Sequence, residues 1–238
     1  MRFRALACDY DGTIATDGVV APSTLEALER VRRSGRLLLL VTGRTEPQLE
    51  DVFRRWDLFD RIVLENGALL LDPAAGADRL LCAPVSSRLL AALSRRGVDP
   101  LAVGRAVCAT QVRHLDAVRE AALDSGLPLD VVINRGGVVV LPAGVSKASG
   151  LRTALRELGE PASACVAVGD AENDLPMLVA AGCGVAVANA LDELKAVADV
   201  VMSKPNGSGI AELAGRLVAD DLAGFAAEPG RAGAGIRR

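Results

Sequence analysis

The chain has 238 residues, half of them hydrophobic and only 3% aromatic, so its core must be built from Leu, Val and Ala, as suits parallel strands packed against helices. A formal charge of −3 offers no basic footprint for nucleic acid, and the longest aliphatic run, Leu37 to Val41, is far too short to cross a bilayer. No nucleic-acid or membrane partner is therefore expected. Cys8, Cys82, Cys108, Cys165 and Cys183 have no paired ligand spacing, and no secretory signal peptide is evident, so they read as small buried thiols of a reduced, cytoplasmic protein.

In chain order, the apolar run Phe3 to Cys8 predicts a strand that ends in Asp9-Tyr10-Asp11-Gly12-Thr13. After a loop turning at Asp17-Gly18, the capping-box spacing of Ser23 and Glu26 predicts a helix start. Leu37 to Val41 is a buried strand running into Thr42-Gly43-Arg44, and Thr45 with Gln48 opens a second helix. Ile62 to Leu64 is a third strand, followed by Glu65-Asn66-Gly67-Ala68. This alternation predicts parallel strands joined by right-handed crossovers.

The rhythm changes at Asp72, where Pro73 to Gly76 looks like a linker. Beyond it we expect a helix at Ser86–Arg96, a strand at Leu101–Ala109, a helix at His114–Ser125, and two antiparallel strands about Asn134-Arg135-Gly136-Gly137. The first rhythm then resumes with helix Ser146–Leu158 and strand Cys165–Val168. Helix Leu175–Ala181, strand Gly184–Val187, helix Asp192–Ala198, strand Asp199–Met202 and helix Gly207–Leu217 follow. The fold class is α/β: a three-layer, Rossmann-like core of residues 1–80 and 142–217, with a small inserted α+β cap at 81–141. Residues 218–238 form an extension whose Gly-, Ala- and Arg-rich end is expected to be disordered.

In an open parallel sheet, ligands bind beyond the carboxyl ends of the strands, where strand order reverses. The first strand here ends in Asp9 and Asp11, the second in Thr42-Gly43-Arg44, and a later one in Gly169-Asp170, with Asn173 and Asp174 close behind. Asp9 and Asp11 would lie about 6–7 Å apart on one side of an extended chain, close enough to repel unless a cation intervenes. Asp9, Asp11, Asp170 and Asp174 supply hard oxygen donors without His or Cys, a set that favours Mg²⁺ over zinc or copper. Each segment also has a plainer reading: an acidic turn, an acidic helix N-terminus, a helix cap at Thr42-Gly43. Lys147 opens a helix, where a cation opposes the macrodipole; it points either to an anion or into solvent.

Asp9-Tyr10-Asp11-Gly12-Thr13, Thr42-Gly43-Arg44, Lys147 and Gly169-Asp170-Ala171-Glu172-Asn173-Asp174 resemble, in order, the four motifs of the haloacid dehalogenase superfamily of phosphohydrolases. Asn66-Gly67-Ala68 and the insert's position resemble the Cof-like (IIB) branch, and the compact cap is similar to that of archaeal-type phosphoglycolate phosphatases. The resemblance implies a Mg²⁺-dependent phosphatase acting on a small phosphorylated metabolite, of phosphoglycolate or sugar phosphate type, as a monomer or homodimer. It implies Asp9 as nucleophile and Asp11 as general acid and then base, with Thr42 and Lys147 completing the catalytic set. Metal ligands would be Asp9, the Asp11 backbone carbonyl, Asp170 and Asp174. Thr13, Gly43, Arg44, Asn66 and Asn173 would contact substrate, and Arg113, His114 and Arg135 are the cap's polar candidates. A phosphomutase of the same superfamily and a non-catalytic binding or regulatory module are the alternatives; the intact set of Asp9, Asp11, Lys147 and Asp170 weighs against the second.

Overall fold

The computed structural model describes residues 1–134 and 136–225. β1 (Ala5–Cys8), buried throughout, is followed by α1 (Pro22–Arg33), β2 (Leu37–Val41), α2 (Glu46–Glu50) and β3 (Arg61–Leu64). β4 (Leu69–Asp72) and β5 (Ala77–Leu80) come next. After them run α3 (Ser87–Arg95), β6 (Ala102–Val103), β7 (Cys108–Gln111), α4 (Leu115–Ser125), β8 (Leu129–Asn134) and β9 (Gly137–Pro142). The chain then passes through α5 (Lys147–Glu157), β10 (Cys165–Gly169), α6 (Leu175–Ala180) and β11 (Cys183–Ala186). It continues into α7 (Asp192–Val197), β12 (Val200–Val201) and α8 (Asn206–Asp220).

These strands form two sheets. The larger has the order β12-β11-β10-β1-β2-β3-β4-β5, parallel from β12 to β3. Strand order reverses at β1, which pairs with β2 on one side and β10 on the other. β1, β2, β10 and β11 at the centre of this sheet are unbroken runs of apolar and small residues because both faces are covered there. Leu38, Leu39 and Leu40 are fully buried, and each contributes about 1.5–3 kcal/mol of burial. The smaller sheet, β6-β7-β9-β8, is antiparallel. Leu89 and Leu93 of α3, Val118 of α4, and Val138 and Val140 of β9 fill its own core. Where the two units meet, Ala68, Ala106, Val107 and Leu141 make a third, small cluster.

Three local expectations need correction. Pro22 occupies the first turn of α1, and its fixed φ starts the helix before Ser23. Ser23 and Glu26 therefore lie inside the helix and form no capping box, and the cap residue is Ala21, with no side-chain hydrogen bond. Pro73 to Gly76 is a turn of the β4–β5 hairpin and not a linker: Asp72 Oδ1 accepts from the amides of Ala74 and Ala75 at 3.1 Å, and Gly76 takes a φ of 61°. The hairpin adds two antiparallel strands to an edge we expected to be parallel. The stretch 101–109 is not one strand either. It breaks into β6 and β7 around a tight loop at 104–107, where Gly104 N donates to Val107 O at 2.8 Å. Arg135 and residues 226–238, which include the tail expected to be disordered, lie outside the described residues.

Candidate active site

The parallel sheet delivers its polar residues to one edge. Asp9 follows β1, Thr42 follows β2, Glu65 and Asn66 follow β3, and Asp170 follows β10. The turn after β1 is built by Tyr10, whose carbonyl accepts from the amides of Thr13, Ile14 and Ala15, while Gly12 takes a φ of 79°.

Lys147 is the hub. It is the first residue of α5, whose start is fixed by a reciprocal pair: Ser149 N donates to Ser146 Oγ at 3.3 Å, and Ser146 N to Ser149 Oγ at 2.9 Å. Only 2% exposed, its ammonium donates to Asp9 Oδ1 and Asp174 Oδ1, each at 2.6 Å. Two buried carboxylates thus offset both its desolvation and its unfavourable place at a helix N-terminus. Burial pulls the ammonium's pKa down, but Asp174 and Asp9 more than compensate and hold it above the ordinary value. The other oxygen of Asp174 accepts from the amides of Asp170 and Ala171 at 3.0 Å, so both its oxygens carry partners. Gly169 is required here, since a Cβ would fall 2.5 Å from the Asp174 side chain.

Asp9, Asp170 and Asp174 are all buried, and each presents a carboxylate oxygen within 4.8 Å of the others. Burial, reinforced by the charge of Asp174 and opposed by Lys147, pushes the Asp9 carboxyl up to about 7. Thr13 Oγ1 donates to Asp170 Oδ1 at 3.3 Å, so that hydroxyl serves the carboxylate cluster. Asn189, which sequence reasoning passed over, donates to Gly12 O at 2.8 Å and to Asp170 Oδ2 at 3.4 Å, and its own carbonyl accepts from Asn206 N at 2.7 Å. The available signal was its position just beyond β11, on the same sheet edge.

Asp11 goes elsewhere. Its two oxygens accept from Arg44 Nε and a terminal nitrogen at 2.8 and 2.7 Å, and Arg44 also donates to Gln48 O and lies over the Tyr10 ring. The Asp11 carboxylate therefore stands outside the three-carboxylate group, and Arg44, expected on substrate, spends its guanidinium orienting Asp11. Thr42 is buried, and its hydroxyl accepts from Arg44 N at 3.1 Å. Gly43 leaves room for Asn66, whose amide atoms lie 3.1 Å from where a Cβ would sit. Asn66 Oδ1 accepts from Asn173 Nδ2 at 2.8 Å, while Asn173 Oδ1 is buried with no partner.

Asp9, Asp11, Gly43, Arg44, Asn66, Lys147 and Asn173 share an open cleft of about 170 Å³, to which the smaller sheet contributes Asn134 and Val139. Arg113 and His114 do not line it; both turn to the carbonyl oxygen of Asp99.

The family signature for haloacid dehalogenase-like hydrolases matches residues 6–89 and 113–213. The chain belongs to that family. It is a hydrolase of the haloacid dehalogenase type, and its relatives agree. It is 31% identical over 227 residues to a phosphoglycolate phosphatase of Methanothermobacter thermautotrophicus, covering 90% of this chain and 99% of that one. It is 28% identical over 214 residues to a phosphoglycolate phosphatase of Archaeoglobus fulgidus, covering 88% and 94%. Its fold matches that of a sugar phosphatase of subclass IIB with a TM-score of 0.74 at 19% identity, over 90% of this chain and 98% of the other.

Proposed function

We propose that this hydrolase is a Mg²⁺-dependent phosphatase that removes the phosphoryl group of a small metabolite through an aspartyl-phosphate on Asp9. Phosphoglycolate is the first candidate substrate, because two relatives carry that activity in their names. The observation that supports it best is the buried cluster of Asp9, Asp170 and Asp174, of which Asp9 and Asp174 hold Lys147, with Asp9 and Lys147 reaching the cleft. Three buried carboxylates face one buried ammonium there, a shortage of positive charge that a hard divalent cation suits. Asp9 and Asp170 would hold it together with the Asp11 backbone carbonyl and, directly or through water, Asp174, whose carboxylate also braces Lys147 and the turn behind Asp170. Bound Mg²⁺ would neutralise charge on the phosphoryl oxygens and lessen their repulsion from Asp9.

A carboxylate oxygen of Asp9 attacks phosphorus in line with the leaving oxygen. The P–O bond to the metabolite breaks, and the departing alkoxide takes a proton from Asp11, which for this step must carry a proton on an oxygen released by Arg44. In the second half a water attacks the phosphorus of the aspartyl-phosphate and gives its proton to Asp11, and phosphate leaves as Asp9 is restored. The Lys147 ammonium pulls against the burial that would protonate Asp9, so it favours the nucleophilic form. Lys147, Thr42, Gly43 and Asn173 would bind the phosphoryl oxygens, with Asn66 accepting from Asn173 beside them. Arg44 holds Asp11 at the leaving-group side of the cleft.

The protein is proposed to work in the cytoplasm as a monomer or homodimer without nucleic-acid or membrane partners. All five cysteines are free thiols, and among the described residues no helix is long and apolar enough to cross a membrane. Phosphate release from 2-phosphoglycolate, 3-phosphoglycerate, hexose phosphates and p-nitrophenyl phosphate tests the reading. Hydrolysis of phosphoglycolate with Mg²⁺, lost on chelation and restored by added Mg²⁺, is expected. Hydrolysis of none of these esters, or full activity after chelation, would refute it.

A further inference from the structure

The segment leaving β3 holds three successive residues at positive φ: Glu65 at 52°, Asn66 at 55° and Gly67 at 105°. Side-chain-bearing residues persist there only when their surroundings hold them. On one side, a Cβ on Gly67 would lie 2.0 Å from Ser146 O, and a Cβ on Gly150 would lie 2.7 Å from Gly67 Cα, so the segment is wedged against the start of α5 beside Lys147. On the other side, the 1%-exposed carboxylate of Glu65 reaches across to the loop between β6 and β7. Its Oε1 accepts from Arg105 N at 2.8 Å, and Oε2 from Ala106 N at 2.9 Å and Val107 N at 3.3 Å. Gly104 is shaped to this grip, since a Cβ there would fall 2.7 Å from the carboxylate. Arg105 O in turn accepts from Val85 N at 2.9 Å, which ties in the chain entering α3.

The smaller sheet is joined covalently to the main one at two crossings, before α3 and after β9. Beside the ion pair of Arg105 with Asp78 of β5 and the small apolar cluster of Ala68, Ala106, Val107 and Leu141, Glu65 supplies a further attachment. It is made of charge-assisted hydrogen bonds to backbone amides that no substitution within 105–107, short of proline, can remove. We propose that Glu65 is a positioning residue that sets the attitude of this unit over the phosphate site, and so where Asn134 and Val139 stand opposite Asp9. The same backbone segment carries Asn66, which accepts from Asn173, but it is also wedged against α5 through Gly67, so loss of the Glu65 carboxylate frees the wall and leaves the phosphoryl-binding amides in place. An ester whose leaving group needs that wall depends on Glu65; one that departs readily without it does not. This consequence for substrates rests on the phosphatase reading, whereas the grip itself does not.

The test compares the unaltered protein with Glu65→Ala, Glu65→Gln and Gly104→Ala. The last crowds the carboxylate from the opposite sheet and leaves the β3–β4 segment intact. Hydrogen exchange of the amides of 105–107 is measured in each, with kcat and KM for 2-phosphoglycolate and p-nitrophenyl phosphate. In Glu65→Ala and Gly104→Ala these amides should exchange at least about tenfold faster. The kcat/KM for phosphoglycolate should fall about tenfold while that for p-nitrophenyl phosphate changes less than about twofold. Glu65→Gln, which keeps one acceptor oxygen, should fall between. Equal losses on both esters, or an unchanged ratio despite faster exchange, would overturn the positioning role. Unchanged exchange at 105–107 in Glu65→Ala would overturn the grip. Should the unaltered protein hydrolyse neither ester, the phosphatase reading falls, and the exchange measurement still decides on Glu65.

Discussion

Replacing Lys147 with methionine keeps the length of the side chain and removes its charge. The ammonium is 2% exposed and is held at 2.6 Å by each of two carboxylates that are themselves buried. Breaking a buried ion pair from one side costs about 3–5 kcal/mol because the remaining charge is left unpaired. For a chain of this size that corresponds to a fall in Tm of about 6–20 °C. The loss must depend on pH. The Asp9 carboxyl already stands at about 7 with Lys147 present, against an unfolded value near 3.8, and removing the ammonium raises it further. A carboxyl raised in the folded state costs nothing below its unfolded pKa and destabilises progressively as pH climbs toward its folded pKa. Lys147→Met should therefore show a smaller Tm deficit at pH 5, where the folded variant and parent both carry Asp9 protonated, than at pH 8, where only the parent has ionised it. The part of the deficit owed to the lost Asp174 bond stays at both. Calorimetry of the metal-free variant and parent at both pH values measures this. An equal Tm deficit at pH 5 and pH 8, or none at either, would refute the electrostatic account of the cluster.

Two further outcomes follow from the same geometry. Divalent-cation affinity, measured by titration calorimetry on the parent protein, should strengthen as pH rises from 5.5 to about 8, because protons compete for Asp9 below about 7; a flat profile would remove Asp9 from the ligand set. Gly67→Ala should cost more than about 2 kcal/mol in chemical denaturation, since its Cβ would meet Ser146 O at 2.0 Å and its φ is 105°. A near-neutral result would mean that the β3–β4 segment is not wedged against α5.

The residues that gather at the site were legible because a parallel sheet carries strand ends to one edge whatever the rest of the chain does. Asp9, Thr42 and Asp170 needed only the strands before them to be recognised. Lys147 was legible from its conflict with the helix dipole. What escaped depends on partners distant in sequence. The stretch 101–109 has a strand's composition, and it breaks at 104–107 where the carboxylate of Glu65, some 40 positions away, takes three of its amides. Asn189 looks like an ordinary loop residue until Gly12 and Asp170 are seen against it. Arg113 and His114 have the chemistry of a substrate-binding pair, but the loop carrying Asp99 takes both. Pro73 to Gly76 illustrates a different limit: the same turn residues serve a linker and a hairpin, and only the pairing of β4 with β5 separates them.

The central claim is that Asp9 becomes phosphorylated, and intact mass spectrometry of acid-quenched protein tests it most directly. Asp11→Asn removes the proton donor and later base, a contribution of about 10²–10⁴-fold, while leaving Asp9 in place. With p-nitrophenyl phosphate and Mg²⁺, whose leaving group needs little protonation, this variant should gain the mass of one phosphoryl group, carried on the peptide that contains Asp9, and Asp9→Asn should gain none and turn over nothing. Near-normal turnover by Asp9→Asn, with no phosphoryl adduct on Asp11→Asn, would contradict the claim and leave direct attack by water as the chemistry of the site.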